Sequence, residues 1–336
     1  MESSCDETSA SVVEMGNGKR RICSDIVASQ IDIHRAYGGV VPEIASRAHI
    51  EAVSGITKEA LDTAGVSLAD IGAVAVTTHP GLIGALLVGV NFAKSLAFAN
   101  NIPLISVNHI NGHIAAAYLT DTELEPPFVA LVVSGGHTSI FLASDYTTLE
   151  ELGATRDDAA GEAFDKIGRV IGMPYPGGAA LDKLAYEGDK TKYHLPSPAI
   201  VGDNLDFSFS GLKTAALNLI NNAAQKGEEI DRASLAASYT ATIVDGILKK
   251  TGKAFDKLRA DGKGNVKTLV LAGGVAANSH LRTALSDMCQ RRGLKFIVPD
   301  RGLCGDNGAM IAAAGYFEYE KGRFSDTSLN ARATDY

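Results

Sequence analysis

The chain has 336 residues, of which 46% are hydrophobic and 21% charged, so its length favours two globular domains that need no disulfides to bury their cores. The formal net charge of −8 argues against a surface that binds nucleic acid throughout. Basic residues cluster at 249–267 and 291–295, where a solvated helix face is the simpler interpretation, so contact with an RNA would be shared with a partner protein.

Apolar runs that end in glycine alternate with segments of helical period, which predicts a layered α/β protein. In chain order, we predict strands at 71–78, 104–108, 128–134, 138–143, 266–272 and 295–298. Helices are predicted from about 81 to 100, from 109 onward, at 158–172, 179–188, 210–225 and 234–258, from about 278 to 293, and at 307–321.

The order strand, glycine turn, helix, short strand and helix occurs twice, beginning near 71 and near 266. This repetition predicts two duplicated α/β subdomains with a ligand cleft between them. We place the first subdomain at 1–125, completed by the C-terminal helix 307–336. The second subdomain is then 126–306 and carries a helical insertion.

Two histidines, His109 and His113, lie four residues apart at the start of a predicted helix. About one helical turn separates them, so their imidazoles point the same way and suit one metal ion. In an isolated pair of this kind, the structural alternative is that one histidine caps the helix and the other is exposed. A zinc protease would require HExxH, and Ile110 occupies the position of its glutamate, so the general base of that class is missing.

Glycine-rich turns follow at Gly135-Gly136, Gly177-Gly178 and Gly273-Gly274. Such turns can present backbone N–H groups to a phosphate, but they also build plain hairpins and tight strand-to-helix packing. Asn278 is either a helix cap or a contact to a sugar or base. Neither a P-loop nor GxGxxG is present, which disfavours Walker ATPases and Rossmann dehydrogenases.

Acidic residues at the two ends of the chain allow two interpretations each. Asp306, before the last predicted helix, is either an N-cap or a third metal ligand beside the histidines. Asp6 and Glu7 lie in the stretch 3–8, which by itself is compatible with a disordered terminus.

The four cysteines show no CxxC spacing, which is typical of a reducing compartment. No stretch reaches the about 20 continuous apolar residues of a transmembrane helix. Residues 1–12 are acidic and polar, unlike a signal or transit peptide. We therefore expect a cytoplasmic protein without a membrane partner.

Taken together, these segments resemble the TsaD family, also called the YgjD or glycoprotease-like family, in its bacterial branch. The resemblance covers nearly the whole chain in order. It is carried by ESSCDET at 2–8, YGGVVPE at 37–43, the run 108–113, VSGGHT at 133–138, DDAAGEAFDK at 157–166, YPGG at 175–178, DFSFSGLKT at 206–214, the run 272–278 and DNGAMIA at 306–312. Family members usually have a short apolar strand before the first of these runs, where only Met1 stands here. If the chain truly starts there, Asp6 and Glu7 would be less firmly placed, but a misassigned start codon is the explanation that we prefer.

The resemblance implies the actin/Hsp70/sugar-kinase fold, with two duplicated α/β halves around a nucleotide cleft. It also implies transfer of a threonylcarbamoyl group from threonylcarbamoyl-AMP to the exocyclic amine of the adenosine 3′ of the anticodon, in tRNAs that read ANN codons. By this resemblance, His109, His113 and Asp306 would hold one divalent metal ion, iron or zinc. The cleft would bind threonylcarbamoyl-AMP, or ATP or ADP, through Val132, Val133, Ser134, Gly135, Gly136, Asp165, Gly178, Asp182 and Asn278.

Asp6 and Glu7 would be the catalytic pair in the same cleft, although His137 is a further candidate for the group that accepts the amine proton. The implied partners are tRNA, TsaB-like and TsaE-like proteins, and a TsaC/Sua-type synthase that supplies the adenylate. Two other functions compete with this one. A metalloprotease would need the glutamate that is missing after His109, and a non-catalytic nucleotide-binding scaffold would not need the set His109, His113 and Asp306.

Overall fold

The computed structural model describes residues 1–334, which divide into two compact units. Unit 1 consists of Met1–Leu124 together with the chain from Pro299 onward, and unit 2 consists of Glu125–Val298. The segment 299–306, assigned above to the second subdomain, belongs to unit 1 because the short helix within it packs against the helix that carries the two histidines.

Unit 1 begins with an antiparallel hairpin and continues with a parallel pair of strands joined by a helix. Its elements before residue 125 are β1 (Glu7–Gly16), β2 (Lys19–Ser29), α1 (Ile31–Arg35), α2 (Pro42–Ala64), β3 (Val74–His79), α3 (Ile83–Asn100), β4 (Leu104–Asn108) and α4 (His109–Thr120). Asn17 and Gly18, both with positive φ, join β1 to β2, as in the two-residue turns that match the twist of a hairpin.

Unit 2 is built on a five-stranded sheet with the strand order β7-β6-β5-β8-β9. Its elements are β5 (Phe128–Val133), β6 (Thr138–Asp145), β7 (Thr148–Ala154), α5 (Ala160–Val170), α6 (Gly177–Leu184), α7 (Ser210–Gln225), α8 (Arg232–Ala260), β8 (Thr268–Ala272), α9 (Ser279–Arg292) and β9 (Lys295–Ile297). Strands β5, β8 and β9 run parallel, and β5 is buried along its whole length, as is typical of a central strand covered on both faces. The chain then returns to unit 1 as α10 (Arg301–Cys304) and α11 (Gly308–Glu320).

The first residues of the chain lie between the two strand pairs of unit 1. The Met1 amino group donates to the carbonyl oxygen of Ala75 at 2.7 Å, and Glu2 forms a bridge with Ser9 of β1. A cavity of about 620 Å³ beside them is lined by residues 10–15 of β1, 73–75 at the start of β3 and part of α2 and α11. The start of the chain thus connects two sheets that do not pair with each other directly within the described residues.

The predicted strands and helices are found to within a few residues, and the helix at 210–225 and the strand at 104–108 have the predicted bounds. The alternative of a disordered stretch at 3–8 is wrong, since Ser3, Ser4 and Thr8 are buried and Glu7 begins a strand. The structure adds β1, β2, α1, α2, β7 and α10, for which no prediction was made.

Helix α3 is, among residues 1–334, the one helix long and apolar enough to span a membrane by length and composition. Leu86, Val90 and Ala93 on this helix pack in a core cluster with Val74 and Val76 of β3. Core helices of globular domains pass the same test, so α3 is weak evidence for a membrane span.

Gly273, directly after β8, adopts φ +90°, and a β-carbon there would lie 2.5 Å from the carbonyl oxygen of Val133. We expect Gly273→Ala to lower the free energy of unfolding by about 2 to 4 kcal/mol, because both the backbone conformation and the contact with β5 would be strained. The matched control is Gly274→Ala, whose new β-carbon would meet no described heavy atom within 4 Å. Thermal and urea unfolding of both variants checks this, and equal losses would contradict it.

Candidate metal and nucleotide sites

The structure brings His109, His113 and Asp306 together in unit 1. Asp306 Oδ1 lies 3.6 Å from His109 Nε2 and 3.3 Å from His113 Nε2, and the ligand atoms of all three residues lie within 4.8 Å of one another. The two histidine rings meet edge to face, with centroids 4.6 Å apart. The helices explain why these three side chains meet. Because α4 begins at His109, both histidine rings project from its first turns. Asp306 precedes α11, which packs along α4.

The structural alternatives for these residues do not hold. Asn108 is the N-cap of α4, since its side chain accepts from Ile110 N and Asn111 N. Both histidines are buried, so neither caps the helix and neither is exposed. The N-cap of α11 is Asn307, whose side chain accepts from Met310 N, and not Asp306.

Glu2 is a functional candidate to which the sequence assigned no role. Its carboxylate is buried and lies 3.1 Å from His109 Nδ1, and it accepts from Thr77 Oγ1 at 2.6 Å. Burial alone would raise the pKa of the Glu2 carboxyl, but the charge and hydrogen bond of His109 hold that pKa below its ordinary value. In the neutral ring, a proton on Nδ1, facing Glu2, leaves the Nε2 lone pair of His109 directed at Asp306, and this is the tautomer that a metal ligand adopts.

Asp6 and Glu7 lie in an acidic turn that interacts electrostatically with Asp306. Burial, followed by the charges of Asp306 and Asp6, raises the pKa of the Glu7 carboxyl to about 9. Gln30 N donates to the Asp6 carbonyl oxygen at 2.9 Å and Ser29 Oγ donates to Glu7 Oε1 at 3.1 Å, so hydrogen bonds hold this turn in place.

A divalent cation fits this group of residues. Both ring nitrogens of His113 are buried and find no hydrogen-bond partner among the described residues, although buried imidazole nitrogens are nearly always satisfied. A cation held by His113, His109 and Asp306 would satisfy Nε2 and would offset the repulsion that raises the Glu7 pKa. Two imidazoles and one carboxylate suit zinc and iron alike.

In unit 2, the predicted nucleotide residues begin at the carboxyl end of β5. Val132 and Val133 are buried in the strand, and Ser134 to His137 form the turn into β6, so the hairpin interpretation is correct for the backbone. Gly135 and Gly136 are exposed, and a β-carbon on either would meet no described atom within 4 Å. This turn therefore presents backbone to open space, as a phosphate site requires.

Two other glycine-containing segments close on the same turn. Gly161, in the first turn of α5, donates to the Ser134 carbonyl oxygen, and a β-carbon there would lie 2.5 Å from that oxygen. Gly273 approaches Val133 from the end of β8 in the same way. Because β5 and β8 are parallel neighbours, their carboxyl ends meet at one edge of the sheet, which is where α/β proteins bind ligands.

The remaining predicted residues are engaged with the protein itself. Asp165 Oδ1 accepts from Gly178 N at 2.9 Å, which joins α5 to the start of α6. Asp182 accepts from Ser279 N, Ser279 Oγ and His280 Nδ1, the last two at 2.8 Å, and so joins α6 to α9. Asn278 caps α9 by accepting from Leu281 N, as the helix-cap alternative predicts.

Fold and site together define an α/β protein of the actin/Hsp70-type fold that carries a candidate metal group. The structure is similar to that of HypF from T. kodakarensis, with a TM-score of 0.59 and 15% identity over 82% of this chain and 44% of that one. It is also similar to component A of the (R)-2-hydroxyglutaryl-CoA dehydratase of Acidaminococcus fermentans, with a TM-score of 0.50 and 16% identity over 94% and 98% of the two chains. These likenesses confirm the predicted fold class and nothing finer.

Comparison of sequences finds relatives of much higher identity than these solved structures. The model of the TsaD family, described as tRNA N6-adenosine threonylcarbamoyltransferase, matches residues 21–313, and the chain belongs to this family. A protein of that name from Clostridium botulinum (strain 657 / Type Ba4) is 52% identical over 331 residues, covering 98% of this chain and 95% of the relative. One from Clostridium perfringens (strain SM101 / Type A) is 51% identical over 332 residues, covering 99% and 95%.

We expect Glu2→Gln to weaken metal binding about 10- to 100-fold, because the amide no longer holds the proton on His109 Nδ1. Zinc titration of the metal-free protein, followed by calorimetry and elemental analysis, measures this change. Glu51→Gln, an exposed substitution on α2, is the control and should bind zinc as the parent does. Equal affinities of the Glu2 variant and the parent would contradict the proposed role of the carboxylate.

Proposed function

We propose that this chain transfers the threonylcarbamoyl group of threonylcarbamoyl-AMP to the exocyclic amine of the adenosine 3′ of the anticodon, in tRNAs that read ANN codons. The observation that carries the proposal is the group His109, His113 and Asp306, assembled in a chain that matches its relatives over nearly their whole length. A metalloprotease lacks support because Ile110 stands where the catalytic glutamate would be. A mere scaffold would not explain two buried, converging histidines.

In this reaction, the adenine nitrogen forms a bond to the carbamoyl carbon while the bond from that carbon to the phosphate oxygen breaks and AMP leaves. His109, His113 and Asp306 would hold the metal, which we propose to be iron or zinc. When bound, the metal would act as a Lewis acid toward the carbamoyl or threonyl oxygens.

The other groups would bind and position the reactants. The N–H groups of Gly135 and Gly136 would donate to the phosphate and stabilise the charge that develops as AMP leaves. Val132, Val133 and Ser134 shape that turn, while Asp165, Gly178, Asp182 and Asn278 would contact the adenylate from α5, α6 and the start of α9. We assign removal of the amine proton to Asp6 or Glu7, with His137 as the alternative. Since adenine amines are weak nucleophiles, positioning would supply much of the rate.

We further propose that the reaction takes place in the cytoplasm with several partners. The substrate tRNA, TsaB-like and TsaE-like proteins, and a TsaC/Sua-type synthase that forms threonylcarbamoyl-AMP complete the system. When threonylcarbamoyl-AMP is not bound, ATP or ADP would occupy the nucleotide site. The net charge of −8 supports this arrangement, because an acidic chain gains tRNA contacts from basic partners.

The test is reconstitution with the metal-loaded chain, its TsaB-like and TsaE-like partners, the synthase, ATP, threonine, bicarbonate and unmodified tRNA. Mass spectrometry of the digested tRNA should detect threonylcarbamoyladenosine. Asp306→Ala should reduce its formation at least about 100-fold, because one metal ligand is lost. Glu51→Gln, on the exposed face of α2, should retain parental activity.

The two possible failures have different meanings. Absence of the product, with a metallated chain and partners shown to be active, would reject the transferase. Retained activity in the Asp306 variant would instead reject the role of the metal group.

A further inference from the structure

A chain of buried hydrogen bonds in unit 1 ends on the turn that carries Asp6 and Glu7. It consists of His34, Gln30 and His49, each at most 3% exposed. Val41 N donates to His34 Nδ1 at 3.3 Å, and His34 Nε2 contacts Gln30 Oε1 at 3.2 Å. Three side chains with polar ends are thus buried together, in an arrangement that must satisfy each of them.

The backbone N–H of Val41 determines which atom donates and which atom accepts in each of these hydrogen bonds. Its N–H can only donate, so His34 Nδ1 accepts and His34 Nε2 carries the ring proton toward Gln30. The amide nitrogen of Gln30 then faces His49 Nδ1 at 3.4 Å. His49 Nδ1 therefore accepts, and its Nε2–H donates to the carbonyl oxygen of Cys5 at 2.9 Å.

His49 holds both sides of the acidic turn. On one side is the Cys5 carbonyl, and on the other is the Thr8 hydroxyl, 2.7 Å from His49 Nδ1. Gln30 adds a third contact, since its backbone N–H donates to the Asp6 carbonyl oxygen. The two residues between Cys5 and Thr8 therefore have little backbone freedom, although their carboxylates repel each other and Asp306.

We propose that His49 is a positioning residue for the transfer reaction, because it fixes the backbone that aims the carboxylates of Asp6 and Glu7. This inference rests on the proposed function for its catalytic consequence, but its structural consequence is independent of it. Burial lowers the pKa of His49, which keeps the ring neutral, as an Nδ1 that accepts requires. His49 touches no metal-site residue in the described hydrogen bonds, so it would act only through the turn.

The test compares His49→Leu, His49→Gln and Thr8→Val with Ile56→Ala in the full chain. Ile56 lies on the same helix as His49 but packs against Ala10 and Ala60, so it controls for a general loss of stability. Kinetics with saturating adenylate and varied tRNA give kcat and KM. Hydrogen exchange of the segment 2–9, measured without substrates, reports on the turn, and elemental analysis reports on the metal.

His49→Leu should lower kcat about 10- to 100-fold with little change in the KM for tRNA, since misplacement of reacting groups has effects of this order. Its metal content should match the parent, and exchange in 2–9 should accelerate. His49→Gln, whose amide can still donate to Cys5, should recover part of kcat. Ile56→Ala should melt earlier with parental kcat and parental exchange in 2–9.

The inference is overturned if His49→Leu exchanges in 2–9 as the parent does, or if Ile56→Ala loses kcat to the same extent. Should His49→Leu fail to fold, Thr8→Val decides, and parental exchange and kcat in that variant would also overturn it. A parent chain that forms no threonylcarbamoyladenosine rejects the proposed function alone. In that case, faster exchange in the His49 variants would still support the positioning of the turn.

Discussion

The candidate metal site depends on the buried contact between the Glu2 carboxylate and the His109 ring. A carboxylate removed from water is costly unless several donors compensate it, and Glu2 finds them in Thr77, Ser4 N and His109. The bridge to Ser9 fixes Glu2 beside β1, while the Thr77 contact fixes it beside β3. Strand geometry therefore decides which nitrogen of His109 carries the proton, and hence which one is available to a cation.

Unit 2 is constrained by the close approach of backbone segments at the carboxyl ends of β5 and β8. Gly161 and Gly273 come so close to Ser134 and Val133 that any side chain would collide with a carbonyl group. The result is an edge of the sheet bordered by N–H groups and small residues rather than by charged side chains. Replacing either glycine would therefore disturb packing and ligand access together, which explains why a structural and a functional interpretation of these turns looked equally good in sequence.

Much of the fold follows from local pattern, and much of the site does not. Glycine-ended apolar runs predicted the central strands, because β5 and residues 269–272 of β8 are buried and contain only apolar residues. The β1–β2 hairpin went unassigned although Asn17-Gly18 is a strong turn signal. Glu2 had no such signal at all, because it is separated from His109 by 107 residues and only the folded chain brings them together.

The acidic residues of the two units differ in how far the protein already satisfies them. In unit 2, Asp182 accepts hydrogen bonds from Ser279 and His280, and the exposed glycine turn at 135–136 presents its backbone N–H groups. In unit 1, burial and the charges of Asp306 and Asp6 raise the pKa of the Glu7 carboxyl, and both buried ring nitrogens of His113 lack a hydrogen-bond partner among the described residues. Unit 1 therefore offers a group of side chains that suits a cation, and the glycine turn of unit 2 offers backbone N–H groups that suit an anion. A reaction in which a metal ion assists transfer from an adenylate would need one site of each kind.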